Sequence, residues 1–128
     1  MHTVCETRPF QNSATDAGMP SDEIDELIFF LSRNPTAGDI IVGTGGCRKV
    51  RFARKGNNRG KSGGYRTITF FGGENAPVFL LTVFAKGDRS TLSQRECNML
   101  KVMTATLIDE YSKRVESLEK SLEQKSIR

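Results

Sequence analysis

At 128 residues the chain can bury one core but is too short for two ordinary domains, so a single domain is expected. Its formal net charge of +4 and its charged fraction of 27% are ordinary for a globular protein, and no apolar run approaches the roughly 18 residues that cross a bilayer. Three widely spaced cysteines and a single histidine argue against a disulfide framework and against a zinc site, and the N-terminus lacks the basic patch and apolar run of a secretory signal. The expectation is a soluble, reduced, cytoplasmic protein without a cofactor.

The charge is unevenly spread. Residues 1–46 carry Glu6, Asp16, Asp22, Glu23, Asp25, Glu26 and Asp39 against Arg8 and Arg33. From Gly43 to Arg66 the balance reverses: Arg48, Lys49, Arg51, Arg54, Lys55, Arg59, Lys61 and Arg66 meet no Asp or Glu. A concentrated positive field of this kind points to phosphate, with nucleic acid as the first suspect.

In chain order, Thr3 to Thr7 suits a short strand and Phe10 to Gly18 a short helix ended by glycine. Ser21 follows Pro20 as an expected N-cap, with Asp22 and Glu23 where the helix dipole favours negative charge. Ile24, Leu27, Ile28 and Leu31 recur at helical spacing, and Pro35 stops the helix near Asn34. Gly38 to Gly46 reads as a short extended piece leading into a turn, followed by a strand from about Cys47 to Arg54. Alternation puts Val50 and Phe52 toward the core and Lys49 and Arg51 away from it. After a polar, glycine-rich connection, Tyr65 to Phe71 resumes as a strand, and the nearly continuous apolar run Val78 to Ala85 reads as a central strand covered on both faces. Ser93 and Glu96 stand at capping-box spacing. Leu100, Met103, Leu107, Tyr111, Val115, Leu118 and Leu122 then follow at steps of three and four, describing a long helix whose first half packs on the sheet and whose end after Tyr111 is expected to be solvated or frayed, with a true coiled coil as the alternative.

Several familiar chemistries fail on spacing. Gly56 to Ser62 is one residue short of a phosphate-binding P-loop and precedes a strand pattern, not a helix. Gly43, Gly45 and Gly46 miss the dinucleotide-binding spacing. His2 is expected to be an idle surface side chain and Cys47 a half-buried structural thiol. Chemistry must therefore run on Arg and Lys, which suits reactions that mostly need charge neutralised on a phosphate.

The glycine-led strand Gly43 to Phe52, the turn from Gly60 through Gly64 into Tyr65 and Arg66, and the strand end Phe84, Ala85 and Lys86 form an ordered set. With Asn34, Pro35, Gly38 and Asp39 upstream, and Leu92, Ser93 and Glu96 downstream, the chain resembles a RelE/HigB-type toxin of a bacterial type II toxin-antitoxin system. The resemblance runs from about Cys5 to Leu107.

It implies an α+β, RelE-like fold: an antiparallel sheet packed against two N-terminal helices, here with a long C-terminal helix. Residues 1–110 are expected to form the toxin domain and 111–128 a charged helical extension. The implied activity is a ribosome-dependent endoribonuclease, an mRNA interferase that cleaves mRNA in the A site through attack by the ribose 2′-hydroxyl. By motif position, Lys49, Arg51, Arg66 and Lys86 resemble the family's catalytic cations, while Arg48, Arg54, Lys55, Arg59 and Lys61 are expected to hold nucleic-acid backbone. No tyrosine stands between Gly87 and Glu96, where some members place one, so Lys49 or Lys86 is the expected general base. The implied partners are the ribosome with its mRNA and a cognate antitoxin, HigA-like with a helix-turn-helix, through which alone operator DNA is met; no membrane is involved. Two alternatives stay open at this point: a non-catalytic nucleic-acid-binding module or corepressor, and a structural protein organised by the long helix.

Overall fold

The computed structural model describes residues 2–53, 64–85 and 91–126. Five strands and three helices follow in the order β1 (Val4–Glu6), α1 (Arg8–Asp16), α2 (Ser21–Arg33), β2 (Asp39–Ile40), β3 (Arg48–Phe52), β4 (Tyr65–Phe71), β5 (Val78–Ala85) and α3 (Gln94–Ser126). The strands form one sheet in the order β1-β5-β4-β3-β2. The α+β architecture is as expected, with one difference: the sheet is mixed, because β1 joins β5 in parallel. That pairing spans most of the chain, and no local pattern in Val4–Glu6 reports it.

Both faces of the sheet are covered. Phe10 and Ala14 of α1 and Leu27 and Leu31 of α2 pack with Val50, Tyr65, Val78, Leu80 and Val83. On the other face Leu100, Met103 and Leu107 of α3 pack with Ile68, Phe70, Phe79, Leu81 and Phe84. The apolar run of β5 thus serves two cores, as its unbroken hydrophobicity requires. Between Ile68 and Thr69 of β4 the register against β5 shifts from Thr82 to Leu80, so Leu81 is the extra residue of a bulge.

The ends of the helices show which signals were local. α1 is capped by Thr7, whose Oγ1 accepts from the Phe10 amide at 3.3 Å and donates to the Leu80 carbonyl at 2.7 Å, so one hydroxyl caps the helix and pins it to β5. For α2 the cap position belongs to Pro20, which makes no side-chain cap, and Ser21 is the first helical residue. Proline's fixed φ of −72° already suits the extended entry, so the helix begins without a hydroxyl cap. α3 has the full capping box: Ser93 Oγ accepts from the Glu96 amide at 3.2 Å and the Ser93 amide donates to Glu96 Oε1 at 3.0 Å.

His2 is not idle. Its amide donates to the Ser32 carbonyl at 2.8 Å and its ring packs edge-on against Phe71 with centroids 5.0 Å apart. These contacts tie the start of β1 to α2 and to β4. No described helix is long and apolar enough to cross a membrane.

Candidate nucleic-acid interface

The site is built by strand alternation on β3 and β4. Val50 is buried, Phe52 is partly buried, and both pack toward α1 and α2. Lys49 and Arg51 therefore project from the opposite face, the one α3 covers farther along. Cross-strand partners share a face, and here Arg51 stands opposite Arg66 while Lys49 stands opposite Ile68, itself part of the core beneath α3. The sheet thus brings Lys49, Arg51 and Arg66 onto one surface, as the strand pattern required.

Two arginines face each other at the centre of this surface, with Cβ atoms expected about 5 Å apart for a directly opposed antiparallel pair. Like charges at that spacing repel. Arg66 is 5% exposed, flanked on its other side by Phe84, while Arg51 is exposed. Arg66 Nη1 donates to the Tyr65 carbonyl at 3.3 Å. Loss of hydration on burial, and then the neighbouring Arg51 charge, hold the Arg66 pKa below the usual guanidinium value. Both effects oppose the cation, and both are relieved when an anion sits between the two guanidiniums.

A groove of about 370 Å³ opens at this pair, lined among the described residues by Arg51, Phe52, Ala53, Gly64 and Arg66. Gly64 is required by close approach: a Cβ there would stand 2.8 Å from the Phe52 carbonyl oxygen. In the sequence Gly64 belongs to the turn motif and Phe52 to the core face of its strand. That both line the groove is visible only once β3 and β4 are set in register.

The remaining expected residues separate into two groups. Arg48 points to the side opposite Lys49, and its Nη1 donates to the carbonyls of Thr36 at 3.0 Å and Gly38 at 3.2 Å, fastening the loop before β2 onto β3. Arg54, Lys55, Arg59, Lys61 and Lys86 lie outside the described residues. Cys47 is fully buried, deeper than expected. Burial pushes its thiol up to about 11 against the lowering effect of its hydrogen bond to Thr44, with nearby Cys97 raising it further, which makes it a structural group and not a nucleophile. Among the described residues no cluster of His, Cys, Asp or Glu has the makings of a metal site.

A mixed sheet backed by helices on both faces, with an opposed arginine pair on one of them, defines a small α+β domain. The model of the RelE toxin family, the toxin of the RelE/RelB toxin-antitoxin system, matches residues 3–127. The chain belongs to that family and is the toxin of a toxin-antitoxin system, which gives it an antitoxin as partner.

Proposed function

We propose that this toxin is a ribosome-dependent endoribonuclease that cuts mRNA in the A site. The observation that carries the reading is the Arg51–Arg66 pair: two opposed cations, one of them desolvated, suit a phosphate that gains negative charge during reaction. The ribose 2′-oxygen attacks the adjacent phosphorus and the bond to the 5′-oxygen breaks, leaving a 2′,3′-cyclic phosphate and a 5′-hydroxyl. Arg66 holds the scissile phosphate from the rigid strand. Arg51 neutralises charge on the same phosphate from the next strand. Lys49, on the same face, or Lys86 takes the 2′-hydroxyl proton, and the leaving oxygen acquires a proton in turn. Arg54, Lys55, Arg59 and Lys61 supply backbone attraction, and Arg48 adds to it while holding its own loop. Such a site uses the RNA's own nucleophile and depends on something else to orient it, which is the part the ribosome plays.

HigB-type character, with a HigA-like antitoxin that reads operator DNA for the complex, belongs to the same proposal. So does the division of labour along the chain, with residues 1–110 carrying the activity and 111–128 an accessory extension. Purified protein added to ribosomes programmed with a defined mRNA tests the reading. The expected products are an upstream fragment ending in a cyclic phosphate and a downstream fragment beginning with a 5′-hydroxyl, both dependent on the ribosome. Binding to nucleic acid that weakens smoothly with salt, without cleavage, would instead mark a non-catalytic module.

A further inference from the structure

The second half of α3 leaves the domain. Beyond Tyr111 the helix continues to Ser126, about 22 Å at 1.5 Å per residue. From Ser112 to Glu123 its residues are exposed, Val115 excepted. Leu118 and Leu122 are nonetheless apolar, at 61% and 57% exposure. An isolated helical arm of this length is marginal in water, so its apolar stripe calls for a cover.

The spacing identifies the cover. Ile108, Tyr111, Val115, Leu118 and Leu122 repeat at steps of three and four, which places Ile108, Val115 and Leu122 at the a positions of a heptad and Tyr111 and Leu118 at d. In the part of the stripe beyond Tyr111, Val115 at a and Leu118 at d make the β-branched and leucine combination that favours two parallel strands, and Leu122 fills the next a position. The flanking charges agree. Arg114 falls at g and Glu119 at the e position that follows, both exposed, so in a parallel pair each Arg114 meets the other copy's Glu119. In an antiparallel pair Arg114 would face Ser121 and Glu119 would face Ser112, and neither charge would be answered.

The fold also sets where the seam starts. Ile108, Tyr111 and Val115 line a groove of about 440 Å³ against the turn from Gly72 to Ala76, and Tyr111 Oη donates to the Asn75 carbonyl at 3.0 Å. The chain's own turn therefore occupies the upstream part and reaches Val115, which is half-buried, so the seam open to a second copy runs from Val115 through Leu118 to Leu122.

We propose that the projecting arm of α3 is a homodimerisation element, a short parallel two-stranded coiled coil between two copies of this chain. The seam is short, so the dimer is weak and concentration-dependent. This inference does not rest on the proposed nuclease activity, and its test reads mass, not cleavage.

Sedimentation equilibrium of the full-length chain, made by cell-free synthesis, should show a monomer–dimer equilibrium. Leu118→Ser with Leu122→Ser should raise the dissociation constant more than about tenfold without loss of helical signal from the domain. Arg114→Glu and Glu119→Arg should each weaken the dimer about two- to fivefold, and the two together should restore it. A monomer at every concentration overturns the proposal, as does a dimer indifferent to the leucine changes. Failure of the double charge reversal to restore association overturns the parallel arrangement. Capture of a monomeric chain only by a different protein would show that the arm serves another partner.

Discussion

The two faces of the β3–β4 ladder use the same strands for opposite purposes. Toward α1 and α2, Val50 and Tyr65 are buried in an apolar cluster with Phe10, Leu27 and Leu31. Toward α3, one residue along each strand, Arg51 and Arg66 oppose each other with like charge. The first face obeys the rules of packing and gives the ladder its rigidity; the second breaks the rule against like-charged cross-strand pairs. Under the proposed function that repulsion is what a site for an anion costs in its unliganded state, and the packed face holds the strands that carry it.

Substitutions separate the faces. Leu80→Ala, in the core beneath α1, should lower unfolding free energy by about 3 kcal/mol in denaturant titrations while leaving cleavage per folded molecule unchanged. Arg66→Ala should leave the fold intact and reduce cleavage about a hundred- to a thousandfold, the scale of losing one preorganised partner for a developing charge. Arg51→Glu makes the sharpest contrast. A carboxylate opposite Arg66 removes the repulsion and moves the Arg66 pKa back up, so thermal unfolding should show a gain of about 0.5–1 kcal/mol while activity collapses. If stability fell with activity, the pair would be part of the scaffold.

Cys47 tests the packed side of the α3 face. Its thiol is held at about 11 against an ordinary 9.0, so the folded state keeps a proton that the unfolded chain has lost between those values. The stabilising effect is complete below pH 9 and fades as pH rises, by about 1.4 kcal/mol per unit over that window. The stability difference between wild type and Cys47→Ala should shrink accordingly. Gly64→Ala acts through the backbone: the added methyl would stand 2.8 Å from the Phe52 carbonyl oxygen, so the end of the ladder must shift. A cost of about 1 kcal/mol and a several-fold loss of cleavage are expected.

What could be read in the chain without coordinates was what is local. Ser93 and Glu96 announced a capping box because both partners lie within one turn. Val50 and Phe52 announced their face because alternation is a property of one strand, and Lys49 and Arg51 went to the other by the same count. The parallel pairing of β1 with β5, the burial of Arg66 beside Phe84 and the two carbonyls that engage Arg48 were hidden, since each depends on segments brought together from far along the chain. The Ser21 cap failed for a different reason. Two neighbouring residues competed for the same position, and proline's fixed geometry took it.

The most direct test of the account maps mRNA 5′ ends on translating ribosomes in bacteria induced to make the wild-type chain, Arg66→Ala or Arg51→Glu, at matched soluble levels. The account predicts strong A-site breaks with 5′-hydroxyl ends for the wild type and their loss in both variants. Equal cleavage by Arg66→Ala, or growth arrest by the wild type without A-site breaks, would contradict it.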